Sequence, residues 1–366
     1  MSGPGAVVDA LVQRSVDGAA RVEPITLNGV DPDQVRVRLS AAGVCHSDLS
    51  LANGTLRQRF PAVLGHEGAG TVVEVGPEVA GLAVGDRVVL NWAPPCRSCW
   101  FCRAGEPYLC VNADAASALP YAITVDDEPV YPGLGTGAFA TETVVGAHAC
   151  IPLPADIPLA EAALLGCAVL TGVGAVLNSA RVRAGESVAV IGLGGVGLAA
   201  LQGARIAGAA EVIAVDPAPA KADLALRLGA THVLRPSSSL SKEVRAVTGG
   251  RGADHAIECV GRAETIRAAW SITRRGGRAT ILGLGSSTEH VSFSALEVAY
   301  FARTLAGCMY GSTDPSVDVP RLLEYYRAGR LDLSGLVTDH IALPEVDAAF
   351  DRMRTGTGAR TLIHFA

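Results

Sequence analysis

Lysine occurs only twice in 366 residues, at Lys221 and Lys242, and the net charge is -6. That balance leaves no basic footprint, so a nucleic-acid partner, whose phosphates need clustered Lys and Arg, is not expected. No apolar run reaches about 18 residues without a charge or a helix breaker, which argues against a membrane span. The first nine residues, Met-Ser-Gly-Pro-Gly-Ala-Val-Val-Asp, put no basic region ahead of an apolar one, and no secretory signal is expected there. Charged residues at 18% against 49% hydrophobic describe a folded chain with large cores, long enough for two domains. The nine cysteines do not read as a disulfide framework, because four of them crowd between Cys96 and Cys110. Such spacing is typical of metal thiolates in a reducing compartment, and the cytoplasm is the expected location.

The stretch from Gly65 to Val79 places a His-Glu pair between a strand-like approach, Phe60 to Leu64, and a β-branched run, Thr71 to Val75. Glycines at 65, 68, 70 and 76 let the backbone turn tightly and approach a neighbour closely. A single histidine among glycines is ordinarily a hydrogen-bonded structural residue. Cys45 and Cys167, each flanked by glycine, change that reading. Cys45, His66 and Cys167 make a three-ligand zinc set with a fourth position open, as a catalytic metal needs.

A second group follows in Cys96-x-x-Cys99-x-x-Cys102 and, after seven intervening residues, Cys110. Four thiolates in one short lobe can enclose a tetrahedral ion with no open position, which is a structural site. An iron–sulfur cluster takes four thiolates as well. Residues 111 to 135 then form an acidic segment, with Asp114, Asp126, Asp127 and Glu128, expected to be irregular.

Period-two alternation in Gln34 to Leu39 and the strand-like Gly85 to Leu90 indicate a β-rich first part. After Ile151 to Pro154 the composition turns to Ala, Leu, Val and Gly. The buried apolar run Ser187 to Ile191 leads into Gly192-Leu-Gly194-Gly195-Val196-Gly197, then a helical stretch from Ala199 to Ala209 and a strand at Glu211 to Val215 that ends on Asp216. A bare Gly-x-Gly-x-x-Gly is weak, but between strand and helix, with an acid about 20 residues on, it is a dinucleotide fingerprint. The glycines admit the pyrophosphate to a helix N-terminus. Asp216 accepts from the adenosine ribose hydroxyls and repels a 2′-phosphate, which favours NAD over NADP. Ala253 to Gly261 and Arg278 to Gly285 continue the pattern of a doubly wound sheet.

The pattern Gly65-His66-Glu67-x-x-Gly70, with Gly76 and Val79 downstream, resembles the signature of zinc-containing medium-chain alcohol dehydrogenases. The motifs fall in that family's order from Gly43 to Arg360, close to the class III, thiol-dependent formaldehyde dehydrogenase branch. The resemblance implies an α/β chain: a GroES-like β-barrel catalytic domain at 1–168, its structural zinc lobe at 93–112, a Rossmann NAD-binding domain at 169–309, and a return to the catalytic domain at 310–366. It assigns zinc to both cysteine-containing sites, two ions per chain, with the Cys96 lobe stabilising the domain. It places Ser47 as the hydroxyl that takes the alcohol proton, His46 near the pyrophosphate, Asp48 behind His66, and Glu67 near the metal. Thr171, Lys221, Arg262, Leu284 and Arg360 fall at cofactor positions. Leu56, Trp92, Phe139 and Met309 fall at positions of the pocket wall, implying a mainly apolar site for a small alcohol or aldehyde. The segment Leu305 to Gly311 resembles the edge strand that pairs across a subunit interface, implying a homodimer or a tetramer.

One departure bears on mechanism. Many members end their proton relay with a histidine five residues after the first ligand, and this chain has Ser50 there. The glutathione-dependent branch holds its peptide thiol with an acidic and a basic residue, and the corresponding positions here are Leu56 and Asp114. The first expectation is therefore reversible hydride transfer between a primary or secondary alcohol and NAD. A formaldehyde dehydrogenase that uses another thiol, of mycothiol type, is the second, and an NAD-binding redox sensor without catalysis is the third.

Overall fold

The computed structural model describes residues 5–365. The chain divides into two compact units, Met1–Cys167 with Asp314–Val319 and Val337–Ala366, and Ala168–Thr313 with Pro320–Leu336.

The first unit is built around the strand Gln34–Val44, whose Val35, Val37 and Leu39 point into the core while intervening side chains face outward. It pairs antiparallel with Glu67–Val75, Glu142–Gly146 and the C-terminal Thr361–His364. A seven-stranded sheet results, with a small closed barrel beside it formed by Val7–Gln13, Arg21–Leu27, Ala122–Thr124, Pro129–Pro132 and Ala62–Val63. Two of those barrel strands come from residues 111–135, so that segment is not irregular throughout. Ala122 and Val130 carry too little polarity to stay outside and are fully buried as a cross-strand pair.

The second unit carries six parallel strands in the order His232–Leu234, Glu211–Val215, Ser187–Ile191, Ala253–Glu258, Thr273–Ile281 and Thr304–Gly307. The central strands Ser187–Ile191 and Glu211–Val215 are apolar after their first residue and buried there on both faces, as is usual of strands inside a parallel sheet. Every Rossmann segment expected from the sequence is here a strand or helix, with the helix after the glycine loop starting at Gly195. The return of the chain is not a single step at 310. Pro320–Leu336 stays with the second unit, held by Gln202, whose amide donates to the Asp332 carbonyl at 2.9 Å and accepts from its N–H at 2.7 Å. Among the described residues no single helix is long and apolar enough to cross a membrane.

Candidate active site

The strands Gln34–Val44 and Glu67–Val75 lie side by side with Gly43 opposite Glu67, so Cys45 and His66 emerge at neighbouring strand ends. Gly65 makes the sharp entry to His66 with φ of +88°, and a side chain there would collide with the backbone nitrogen of Phe139 at 2.7 Å. Cys167 arrives at the end of the short helical turn Ala163–Gly166. Ligand atoms of Cys45, His66, Glu67 and Cys167 then lie within 4.8 Å of one another, all buried.

Asp48 organises this group from the first turn of the helix His46–Ala52. Its Oδ1 accepts from His66 Nδ1 at 2.8 Å and from the Gly65 N–H at 3.1 Å, while Oδ2 accepts from the Cys45 N–H at 3.0 Å. With Nδ1 engaged, His66 Nε2 is left buried without a hydrogen-bond partner, facing the thiols. Two sulfurs and one imidazole nitrogen of that orientation fit zinc, and the carboxylate behind the ring is the usual support of such a ligand.

Electrostatics agree with a cation site. A hydrogen bond from Cys167 holds the Cys45 thiol well below its ordinary range, helped by the Arg360 guanidinium, and Cys167 is pushed up in return. Burial opposes an imidazolium at His66, yet Asp48 outweighs it and His66 is raised well above its ordinary value. Burial also lifts Glu67 to about 7, against the pull of Arg360. Protons held here are those that a metal displaces on binding.

The second cluster gathers Cys96, Cys99, Cys102 and Cys110, whose sulfurs again lie within 4.8 Å of one another. Backbone N–H groups point at them: Cys96 donates to Cys110 Sγ at 3.2 Å and Cys99 to Cys96 Sγ at 3.3 Å. The Ser98 hydroxyl draws the Cys96 thiol down to about 5. All nine cysteines are free, so none is spent in a disulfide. Four thiolates on short loops of this spacing fit a closed zinc site.

In the second unit Gly192 has φ of +89°, and the first residues of the loop curl over the N-terminus of the helix Gly195–Ile206. A side chain at Gly197 would meet the Gly192 carbonyl oxygen at 1.9 Å, so loop and helix approach this closely only with glycine. Gly194 is exposed at the helix N-cap, with Val196 partly exposed beside it. Asp216 Oδ2 accepts from the Leu193 N–H at 2.8 Å and Oδ1 from the Ala218 N–H at 2.9 Å, with Lys221 Nζ 3.5 Å from Oδ2. The acid thus ties the glycine loop to the end of the second strand.

The remaining expected residues fall variously. Ser47 Oγ is 3.9 Å from Cys45 Sγ, His46 is exposed, and Trp92 packs edge-on to His66 with ring centres 6.3 Å apart. Leu56 is half-buried against the barrel core. Thr171 is partly exposed, Met309 is 40% and Leu284 56% exposed, and Arg262 faces solvent, 3.3 Å from Glu264. Phe139 is a correction: it is fully enclosed in the barrel core beneath Gly65 and offers a ligand no surface. Arg360 is placed differently from a solvent-facing phosphate ligand. Its guanidinium is buried, donates to the Val44 carbonyl at 2.9 Å and lies 3.2 Å from Glu67 Oε1. Sequence reasoning did not join Arg360 to Glu67, because nearly 300 residues separate them and only the pairing of Thr361–His364 with Gln34–Val44 brings them together.

Glu258, also missed, is a fully buried carboxylate at the end of Ala253–Glu258. It accepts from the Val260 and Gly261 N–H groups at 2.9 Å and from the Thr265 hydroxyl at 2.7 Å. Burial raises it above the ordinary carboxylate range. It fixes the loop that carries Arg262, and its only sequence signal was an acid inside an apolar strand.

Comparison with known proteins agrees with this chemistry. Residues 31–155 match the alcohol dehydrogenase GroES-like domain family and residues 195–326 the zinc-binding dehydrogenase family. The NDMA-dependent alcohol dehydrogenase of Amycolatopsis methanolica is 35% identical, over 97% of this chain and 98% of its own. The S-(hydroxymethyl)glutathione dehydrogenase of Synechocystis sp. is 36% identical, over 91% and 92%. The crystal structure of benzyl alcohol dehydrogenase from Acinetobacter calcoaceticus superposes with a TM-score of 0.91 at 27% identity, covering 99% of this chain and 100% of that one. With two thiol-rich sites that fit zinc and a glycine loop of dinucleotide type, the chain belongs to the zinc-containing medium-chain alcohol dehydrogenase family, oxidoreductases that exchange hydride between alcohols and NAD.

Proposed function

We propose that Cys45, His66 and Cys167 hold the catalytic zinc and Cys96, Cys99, Cys102 and Cys110 the structural one, in an enzyme that oxidises small primary or secondary alcohols. The observation that carries this reading is the buried Cys45, His66 and Cys167 set with Asp48 locked behind the imidazole. When bound, zinc supplies a Lewis acid beside which an alcohol hydroxyl loses its proton near neutral pH. The Ser47 hydroxyl, two residues after Cys45 with its Oγ 3.9 Å from Cys45 Sγ, takes that proton as it hands its own on toward water or the exposed His46. Ser50 is partly exposed and adds no imidazole to this route. Glu67 is kept from competing for the ion by Arg360, which neutralises its carboxylate. Leu56 and Trp92 supply the apolar wall on this side of the site.

On the cofactor side, Gly192, Gly194, Gly195, Val196 and Gly197 take the pyrophosphate, with Thr171, Arg262 and Leu284 as further contacts; Arg360, buried against Val44 and Glu67, is left to the metal site. Asp216 and Lys221 take the adenosine ribose, and the acid disfavours a 2′-phosphate. A homodimer is supported by the strand Thr304–Gly307, which ends the parallel sheet with Leu305 43% exposed and with Leu296 and Tyr300 exposed nearby. An unpaired edge of that kind invites a second copy. Free thiols throughout support a cytoplasmic location.

A second reading, a formaldehyde dehydrogenase using a low-molecular-weight thiol, draws on the Synechocystis relative. Leu56 and Asp114 lack the charge pair a glutathione adduct would meet, so a different thiol is favoured. The test is NAD reduction by zinc-replete protein with aliphatic and aromatic alcohols, then formaldehyde with and without thiols. Turnover of free alcohols is expected. Activity confined to formaldehyde plus a thiol would replace the first reading with the second.

A further inference from the structure

His340 and His364 stand on adjacent parallel strands, Asp339–Ile341 and Thr361–His364, at the edge of the seven-stranded sheet. Both are exposed. His340 Nδ1 faces His364 Nε2 at 2.7 Å, with ring centres 4.9 Å apart and planes inclined by 35°. His66, His232 and His255 instead place a ring nitrogen against a carboxylate, which fixes the proton on the ring. Two facing imidazoles have no such acid between them. They share at most one proton along the contact, and each contributes a nitrogen lone pair once that proton leaves.

We propose that this pair is an accessory, solvent-accessible site for a borderline divalent transition-metal ion, with His340 Nδ1 and His364 Nε2 as its two protein ligands. Neutral imidazole is the side-chain ligand suited to Zn2+, Ni2+ and Cu2+. An ion held at about 2.0–2.1 Å by each nitrogen spaces them by about 3 Å or slightly more, so the pair needs to open only by a few tenths of an ångström. Surface side chains make that adjustment by small rotations. The strands beneath are joined by backbone pairing, His340 opposite Leu362 and Ile341 opposite Ile363, so the two ligands are held close before the ion arrives. Preorganisation of this kind lowers the ordering cost of binding. Water fills the remaining positions, which makes the ion exchangeable, unlike one enclosed by four thiolates. The site is independent of the catalytic reading, since neither histidine belongs to either thiol cluster.

The experiment uses the untagged, zinc-replete full chain titrated calorimetrically with Ni2+, which, unlike Cu2+, does not oxidise the free cysteines. Wild type, His340→Ala, His364→Ala and the exposed control His290→Ala are compared, with zinc content measured before and after. One Ni2+ per chain is expected in wild type and in His290→Ala, and about tenfold or greater loss of affinity in each of the other two. Zinc content stays constant. Where an alanine variant folds poorly, the glutamine variant replaces it. No saturable Ni2+ binding in wild type would overturn the proposal, and so would affinity retained when either His340 or His364 is removed.

Discussion

Asp48 Oδ1 accepts from His66 Nδ1 at 2.8 Å, and neither side chain has any exposed surface. The same carboxylate also holds the backbone N–H groups of Cys45 and Gly65, so one buried acid sets the position of two proposed ligands. Asp48→Asn keeps the shape and removes the charge. Zinc affinity at the catalytic site, read by chelator competition, should fall by about 10- to 100-fold. The structural ion should be retained.

Ser47→Ala removes the proposed proton acceptor, while Ser50→Ala changes a residue to which no step is assigned. The first should lower kcat by about 10²-fold or more and the second by little. Steady-state rates with one alcohol measure both. Equal and small effects would remove Ser47 from the relay.

Zinc analysis of purified protein should give two equivalents per chain. Cys99→Ser should leave one, with a lower thermal midpoint, because the lobe around Cys96, Cys99, Cys102 and Cys110 has few buried apolar side chains of its own. Loss of activity in that variant should follow unfolding rather than precede it.

Asp216→Ser should lower kcat/KM for NAD and raise the ratio of NADP to NAD use by about tenfold or more. Because Asp216 also receives the Leu193 N–H, the substitution should cost some stability as well, read as a lower thermal midpoint. Unchanged discrimination between the two cofactors would remove Asp216 from ribose recognition.

Asp254 gives a pH prediction away from both metal clusters. Burial would raise its carboxyl, but the Ser187 hydroxyl and N–H and the Arg274 guanidinium outweigh that and hold it below the ordinary 3.8. Its folded-state value is therefore depressed, so its contribution to stability is full above the unfolded value and is lost as pH falls through the folded one. Urea unfolding below about pH 5 should show a shallower decline for Asp254→Asn than for wild type. The variant should also be less stable at neutral pH.

Local signals in the sequence accounted for much of this. Ser187 to Val215 was legible because a buried strand, a glycine turn and a helix each have a short-range pattern, and neighbouring residues make most of the contacts. The thiol lobe was legible because its four ligands lie within 15 residues. The strands Ala122–Thr124 and Pro129–Pro132 were not, since each is short and draws its stability from barrel partners distant in sequence. Phe139 was misplaced for a related reason: an apolar ring suits a pocket wall and a core equally, and only packing beneath Gly65 distinguishes them.

The sequence by itself determined the chemistry available to this protein: which residue types could bind metal, where a dinucleotide loop must turn, and which segments must be buried. Those follow from composition and spacing, which act over a few residues. Only the tertiary structure decided which distant groups meet. Arg360 reaches Glu67 and His364 reaches His340 because the last strand closes on the sheet at both of its edges, pairing with Gln34–Val44 on one side and Asp339–Ile341 on the other. Strand register over such separations is set by cooperative packing of the whole unit, and no local pattern encodes it.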